Sequence, residues 1–192
     1  TRSLRGRSAG LESSDPSLCG RGAVREDATL MDIRIAAPSD ATAICEVVRR
    51  SISECCHADH WGDPERIAAW LENKTPENIL AWLQAANAVA VVAVRGGRVL
   101  GFALTNRDAL ALLYVVPEAL YQGVGKALLR TIESRSIARG IATLRLESTR
   151  TARDFYARHG FTVSGPVQVW AGMEGLPMVK LLVNQATPHT GR

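Results

Sequence analysis

The chain has 192 residues, of which 46% are apolar and 22% charged; that suits one domain with a sizeable core and excludes a low-complexity or wholly disordered chain. Its 23 Lys and Arg against 19 Asp and Glu give a net charge of +4, and with only Lys74, Lys126 and Lys180 as lysines the basicity is mostly arginine. The arginines are interleaved with acids rather than gathered into a stripe, which argues against a nucleic-acid partner, and no apolar run approaches the ~20 residues that span a bilayer, which argues against a membrane partner. The cysteines Cys19, Cys45, Cys55 and Cys56 form no C-x-x-C pair, and ring geometry strains a bridge between adjacent Cys55 and Cys56. With no apolar stretch of secretory type after the N-terminal arginines, a reduced, cytoplasmic chain is the expectation.

Residues 1–30 are rich in Ser, Gly and Arg, lack periodicity, and read as a flexible N-terminal extension to a domain at 31–192. Ile33 to Ala36 alternates like a strand and stops at Pro38. Ser39 or Asp40 is placed to cap a helix running to about Ser53, with Ile44, Val47 and Val48 on one face. Asp63-Pro64-Glu65 and Thr75-Pro76-Glu77 each set a capping residue before a proline at the first helical position, so two more helices start there. Lys74, just ahead of the second, reads as a solvated helix end. Ala88–Val94 and Val99–Leu104 flank Gly96-Gly97 as a hairpin, and Ala109–Val116 is apolar enough for a central strand.

A helix follows over Gly123–Arg139, then a strand at Ile141–Glu147, a helix at Thr151–His159 stopped by Gly160, and strands at Phe161–Ser164 and Met178–Val183. The order β-α-α-(α)-β-β-β-α-β-α-β-β predicts an α/β fold with a mixed sheet.

Two segments carry candidate chemistry. In the first, a strand ends at Val115-Val116 and the run Gln122-Gly123-Val124-Gly125-Lys126-Ala127 opens a helix. Glycines let backbone N–H groups crowd around a ligand at the positive end of a helix, which makes a pyrophosphate seat; a tight strand-to-helix turn is the plainer reading. The run is neither a Walker A loop nor a complete G-x-G-x-x-G, because Leu128 occupies the last glycine position. In the second, a strand ending at Glu147 leads into a helix holding Phe155, which reads as core, and Tyr156 on a different face. A third segment, Ser53 to Asp63, is rich in Cys and His, but its spacing is not that of structural zinc sites, and no metal is expected.

The run Gln122, Gly125, Ala127 fits Q-x-x-G-x-A, and Ala152, Tyr156, Gly160, Phe161 fit A-x-x-x-Y-x-x-x-G-F, in that order along the chain. With these two motifs the sequence resembles the GCN5-related N-acetyltransferase (GNAT) superfamily from about Ile33 to Val183. The resemblance implies a GNAT-like fold, a central and mostly antiparallel sheet flanked by helices, with acetyl-CoA as cosubstrate. It implies that backbone groups of Tyr114, Val115 and Val116 hold the pantetheine arm, and that residues Gln122, Gly123, Val124, Gly125, Lys126 and Ala127 bind the pyrophosphate, with Lys126 and Arg153 beside the phosphates. A strand N–H near Val116 would polarise the thioester carbonyl. Tyr156 would protonate the departing thiolate.

Thr149 stands where many members carry Asn, and a hydroxyl replaces only part of an amide's donor and acceptor pair. Glu147 stands where some members place a catalytic carboxylate; pairing with Arg145 or Arg150, with ordered water as the base, is the other reading. The resemblance also puts the loop after the first helix against the acceptor, with Glu54, Asp59 and His60 as candidate substrate-binding residues. Asn106-Arg107-Asp108 and Val167–Pro177 are further candidate walls, with Trp61, Trp170 and Met173 as lining or packing. The implied activity is acetyl transfer to a primary amine of a small-molecule or peptide acceptor by direct attack. The alternative is a catalytically silent acyl-CoA-binding module of the same fold. Pairing of two copies as a homodimer is left open.

Overall fold

The computed structural model describes residues 30–170 and 172–182. Cys19, Val183 and all but the last residue of the expected N-terminal extension lie outside the described residues. Strand β1 (Asp32–Ile35) leads through a single 3-10 turn, Pro38–Asp40, into α1 (Ala41–Cys55), α2 (His57–His60), α3 (Pro64–Leu71) and α4 (Pro76–Leu83). Then come β2 (Ala88–Arg95), β3 (Arg98–Asn106), β4 (Ala109–Val115), α5 (Val124–Ala138), β5 (Thr143–Ser148) and α6 (Arg153–Arg158). The chain closes with β6 (Thr162–Val163), β7 (Gln168–Trp170) and β8 (Met173–Leu181). The sheet order is β1-β2-β3-β4-β5-β8-β6, with β7 paired to β8. All pairings are antiparallel except β4 with β5.

Both faces of the central strands are buried, which is why β2 and β3 read as continuous apolar runs. On one face Ile44, Val48 and Ile52, spaced by four along α1, join Trp70 of α3 and Ile79 of α4 against Val92, Phe102 and Leu104. On the other, Leu128, Leu129 and Ile132 of α5 pack on Val91, Ala103 and Leu144. The start signals at α3 and α4 are realised as expected. Asp63 Oδ1 accepts from the Glu65 N–H at 2.9 Å, and Thr75 Oγ1 accepts from the Asn78 N–H at 3.2 Å. Asp40 does not cap α1 through its side chain; its carboxylate takes the Arg34 guanidinium at 2.6 and 2.8 Å and the Ala37 N–H at 2.7 Å.

Three expectations are corrected. The segment after α1 is not loop throughout but contains the single turn α2. The stretch Val167–Pro177 does not merely precede the last strand: it enters the hairpin β7–β8, and β8 begins at Met173 rather than Met178. Lys74 is not a solvated helix end but only 7% exposed, because the α3–α4 connection tucks against α1, where the Cys45 thiol and Arg49 both donate to the Lys74 carbonyl at 3.1 Å. Its ammonium donates to Asn73 Oδ1 and stands 5.6 Å from the Trp82 ring centre, and burial pushes its pKa below the usual lysine range.

The parallel pair β4–β5 is joined at one end only, through Ala109 and Arg145. There the Arg145 N–H donates to the Asp108 carbonyl at 2.9 Å, and the side chains of the same two residues pair at 2.9 Å. Beyond that bolt no further residue pairs join the two strands, which leaves a wedge open toward their C-terminal ends.

Candidate active site

The wedge continues into a cleft of about 510 Å³ between β4, the start of α5, the end of β5 and α6. Its chemistry begins with the backbone of β4. In an antiparallel ladder the N–H and C=O groups of alternate residues face the same neighbour. The Val116 N–H donates to the Leu100 carbonyl at 2.9 Å, and the register pairs Tyr114 with Phe102, so these two residues spend their backbone groups on β3. Leu113 and Val115, opposite Ala103 and Gly101, turn theirs toward the wedge. The expectation for Tyr114, Val115 and Val116 is thereby corrected: of the three, Val115 alone offers backbone to a ligand there, and Leu113 joins it. The carbonyl-polarising donor expected near Val116 cannot be the Val116 N–H for the same reason. A register shift between Leu104 and Thr105 leaves Ala111 as an extra residue in β4, which bends the strand at the wedge.

At the outer end of the cleft, Gly123 precedes α5 with φ 82°, a left-handed value that suits glycine. The N–H groups of Val124, Gly125 and Lys126 have no partner within the helix, and the first intrahelical bond is from the Ala127 N–H to the Gly123 carbonyl at 3.0 Å. These three donors at the positive helix end match an anionic diphosphate. A Cβ on Gly125 would lie 3.4 Å from the Phe155 ring, an ordinary contact, which places this seat directly beneath α6. Val124 is 1% exposed, and its side chain belongs to the core. The Gln122 side chain is not aimed at a ligand: its Nε2 donates to the Glu118 carbonyl at 2.6 Å and its Oε1 accepts from Arg95 at 3.1 Å, bracing the loop. Lys126 lines the cleft with Arg158. Arg153 is corrected, because helical spacing puts Asp154, Phe155, Arg158 and His159 on the cleft face of α6 and turns Arg153 to solvent.

Tyr156 lines the inner cleft, 7% exposed, edge-on to Phe155 at 5.2 Å and to Phe161 at 5.5 Å between ring centres. Burial in these apolar surroundings raises its pKa well above the usual phenol range, so it stays protonated. Burial likewise raises the Tyr114 phenol, which lies beside Cys56 and Trp70. Thr149 also lines the cleft, and its Oγ1 accepts from the Ala152 N–H at 3.2 Å, so its hydroxyl doubles as a cap for the turn into α6. Glu147 projects into the cleft from the end of β5 and is exposed. The two arginines close to it in sequence are engaged elsewhere, Arg145 with Asp108 and Arg150 with Glu174. Gly175 makes room for it: a Cβ there would stand 3.3 Å from Glu147 Oε2.

The three candidate substrate-binding residues do not face the cleft. Glu54 pairs with Arg50 at 3.0 Å on an exposed face of α1. Asp59, 3% exposed, accepts from the Arg150 N–H at 2.6 Å and from the Thr151 N–H and hydroxyl at 3.3 and 2.5 Å. His60, 1% exposed, is held between the Ile52 carbonyl at 3.1 Å and the Gly62 N–H at 3.0 Å. Their polar atoms are occupied by the fold, so the acceptor-binding expectation is corrected for all three. From the same stretch it is Ser51, Cys55 and Cys56 that line the cleft, and burial pushes the Cys56 thiol up to about 12, which keeps it uncharged. Met173 is buried in the α1-side core, while Trp61 and Trp170 are exposed, Trp61 lying under the Arg66 guanidinium at 4.5 Å. Among the described residues no group of three or more His, Cys, Asp and Glu is placed to hold a metal, and no helix is long and apolar enough to cross a membrane.

A mostly antiparallel sheet that opens at one parallel pair, with helix amides at its mouth, defines an acetyltransferase-type α/β domain. A family model described as an acetyltransferase (GNAT) domain matches residues 60–182, and the chain belongs to that family. Solved structures share its fold. A GCN5-related N-acetyltransferase from Rhodopseudomonas palustris is 24% identical with a TM-score of 0.70, over 79% of this chain and 95% of that one. The PaiA N-acetyltransferase of Thermoplasma acidophilum, solved in complex with coenzyme A, is 24% identical with a TM-score of 0.68, over 79% and 99%. YncA of Salmonella typhimurium, solved with its cofactor acetyl-CoA, is 23% identical with a TM-score of 0.63, over 85% and 100%.

Proposed function

We propose that this protein transfers an acetyl group from acetyl-CoA to a primary amine by direct attack within the β4–β5 wedge. The observation that carries the reading is one continuous cleft in which the anion seat of α5, the outward-facing backbone of Leu113 and Val115, the phenol of Tyr156 and the carboxylate of Glu147 follow one another. The diphosphate would rest on the N–H groups of Val124, Gly125 and Lys126, and the pantetheine arm would extend along β4 as an added strand. The amine nitrogen bonds to the thioester carbon as the carbon–sulfur bond breaks. The Tyr156 hydroxyl gives its proton to the departing thiolate, and the amine proton passes to Glu147, directly or through water. No covalent enzyme intermediate is involved.

The placement of Tyr156 and Glu147 in one cleft favours an enzyme over a silent acyl-CoA-binding module. The acceptor is a small-molecule or peptide amine. The test is release of the CoA thiol from acetyl-CoA, followed with and without a panel of amines, beside the melting temperature with acetyl-CoA. A thermal shift with amine-dependent thiol release is expected. A thermal shift without turnover across the panel would favour the module, and no shift would remove acetyl-CoA.

A further inference from the structure

Tyr121 is at odds with its surroundings in two ways. Its ring is fully exposed, with a relative accessibility of 101%, so it contributes nothing to the core. Its backbone is in the left-handed region, φ 59°, a conformation that strains a residue carrying a Cβ and that Gly or Asn would adopt more easily. The conformation is imposed from both sides. Leu120 before it packs on the α5-side core, and Gln122 after it is pinned to Glu118 and Arg95. Strain at a residue that makes no stabilising contact of its own points to a role outside the fold.

The position indicates the role. Tyr121 is on the rim of the same cleft, two residues before Gly123, where the anion seat begins. A ligand with its diphosphate on the α5 amides and its pantetheine arm running inward along β4 must send its nucleoside outward, past this rim. The His159 ring, also at the cleft, already packs at a tilt against Phe155, 4.4 Å between ring centres, and its Nδ1 lies 2.7 Å from the Phe155 carbonyl. The Tyr121 face is open. We infer that Tyr121 is a stacking platform for the adenine base of coenzyme A, held outward in the ligand-free protein so that the base meets it without rearrangement. The inference rests on the CoA reading of the cleft.

The test compares binding, by calorimetry, of CoA and of 4′-phosphopantetheine, which lacks the nucleoside together with its 3′-phosphate and one phosphate of the diphosphate. Loss of one base-stacking contact is expected to weaken CoA binding to Tyr121→Ala by roughly tenfold, with Tyr121→Phe close to wild type and phosphopantetheine binding the same in all three. Tyr121→Gly, which relieves the left-handed strain, should raise the melting temperature of the ligand-free protein while losing the same CoA affinity, a combination that a purely structural tyrosine would not give. Unchanged CoA affinity in Tyr121→Ala, or an equal loss for phosphopantetheine, would overturn the inference and leave the CoA reading intact. Failure of the wild-type protein to bind either ligand would overturn the CoA reading itself, and this inference with it.

Discussion

A phenol whose proton is locked in by apolar neighbours can act as an acid at neutral pH and cannot act as a base. That is the position of Tyr156, which keeps a proton available for the departing thiolate in the proposed reaction. Replacing it by Phe removes the proton and keeps the packing against Phe155 and Phe161. Tyr156→Phe is expected to lower kcat by about 100-fold or more, with acetyl-CoA affinity within about twofold of wild type, measured by steady-state kinetics beside calorimetry. Because burial raises its pKa from an ordinary value near 10, wild-type turnover should show no falling limb from this residue up to about pH 10.

Lys74 makes the opposite case, a charge held where the fold does not favour it. Its folded pKa is depressed, so the charged form is penalised at neutral pH and the penalty fades as pH rises through the folded toward the unfolded value. Lys74→Met, of similar length, is expected to raise the melting temperature at pH 7, with a gain that shrinks as the pH approaches about 10.5.

At the scale of elements, α6 is six residues long and too short to hold itself together. It is held from α2, where Asp59 takes two backbone N–H groups and a hydroxyl from the turn that starts it. Asp59→Asn weakens these charge-assisted bonds and is expected to cost about 2–3 kcal/mol, read from urea unfolding, and to slow turnover by disturbing Tyr156 one turn further on. This contact also marks a limit of sequence reading. The caps Asp63 and Thr75 were legible because each partner lies two or three residues away. The partners of Asp59 lie 91 and 92 residues away, so in the sequence its carboxylate had no visible work and looked available to a substrate. The same blindness applies to Lys74, buried by a helix that sequence spacing cannot dock. Hairpin β7–β8 escaped notice because Gly172, Gly175 and Pro177 break the alternation that marks a strand.

For the molecule as a whole, periodicity and turn residues were enough for the element order apart from α2 and β7, and two motifs were enough for the family. Which residues face the cleft was partly within reach. Strand alternation would have set Leu113 and Val115 apart from Tyr114 and Val116, whereas helical spacing puts Arg153 nearer Tyr156, and only the docking of α6 brings Arg158 rather than Arg153 to the cleft. The direction of that alternation needed the β3–β4 register, and the wedge needed the knowledge that β4 and β5 join only at Ala109 and Arg145.

That one-ended pairing has a consequence for amide hydrogen exchange. In the ligand-free protein the Leu113 and Val115 amides face the wedge, whereas those of Tyr114 and Val116 are tied to β3. Leu113 and Val115 should therefore exchange quickly and their neighbours slowly, a two-residue rhythm of protection along a single strand. Added CoA should slow the fast pair and leave the slow pair unchanged. If the four amides respond alike, the pantetheine arm does not lie on this edge.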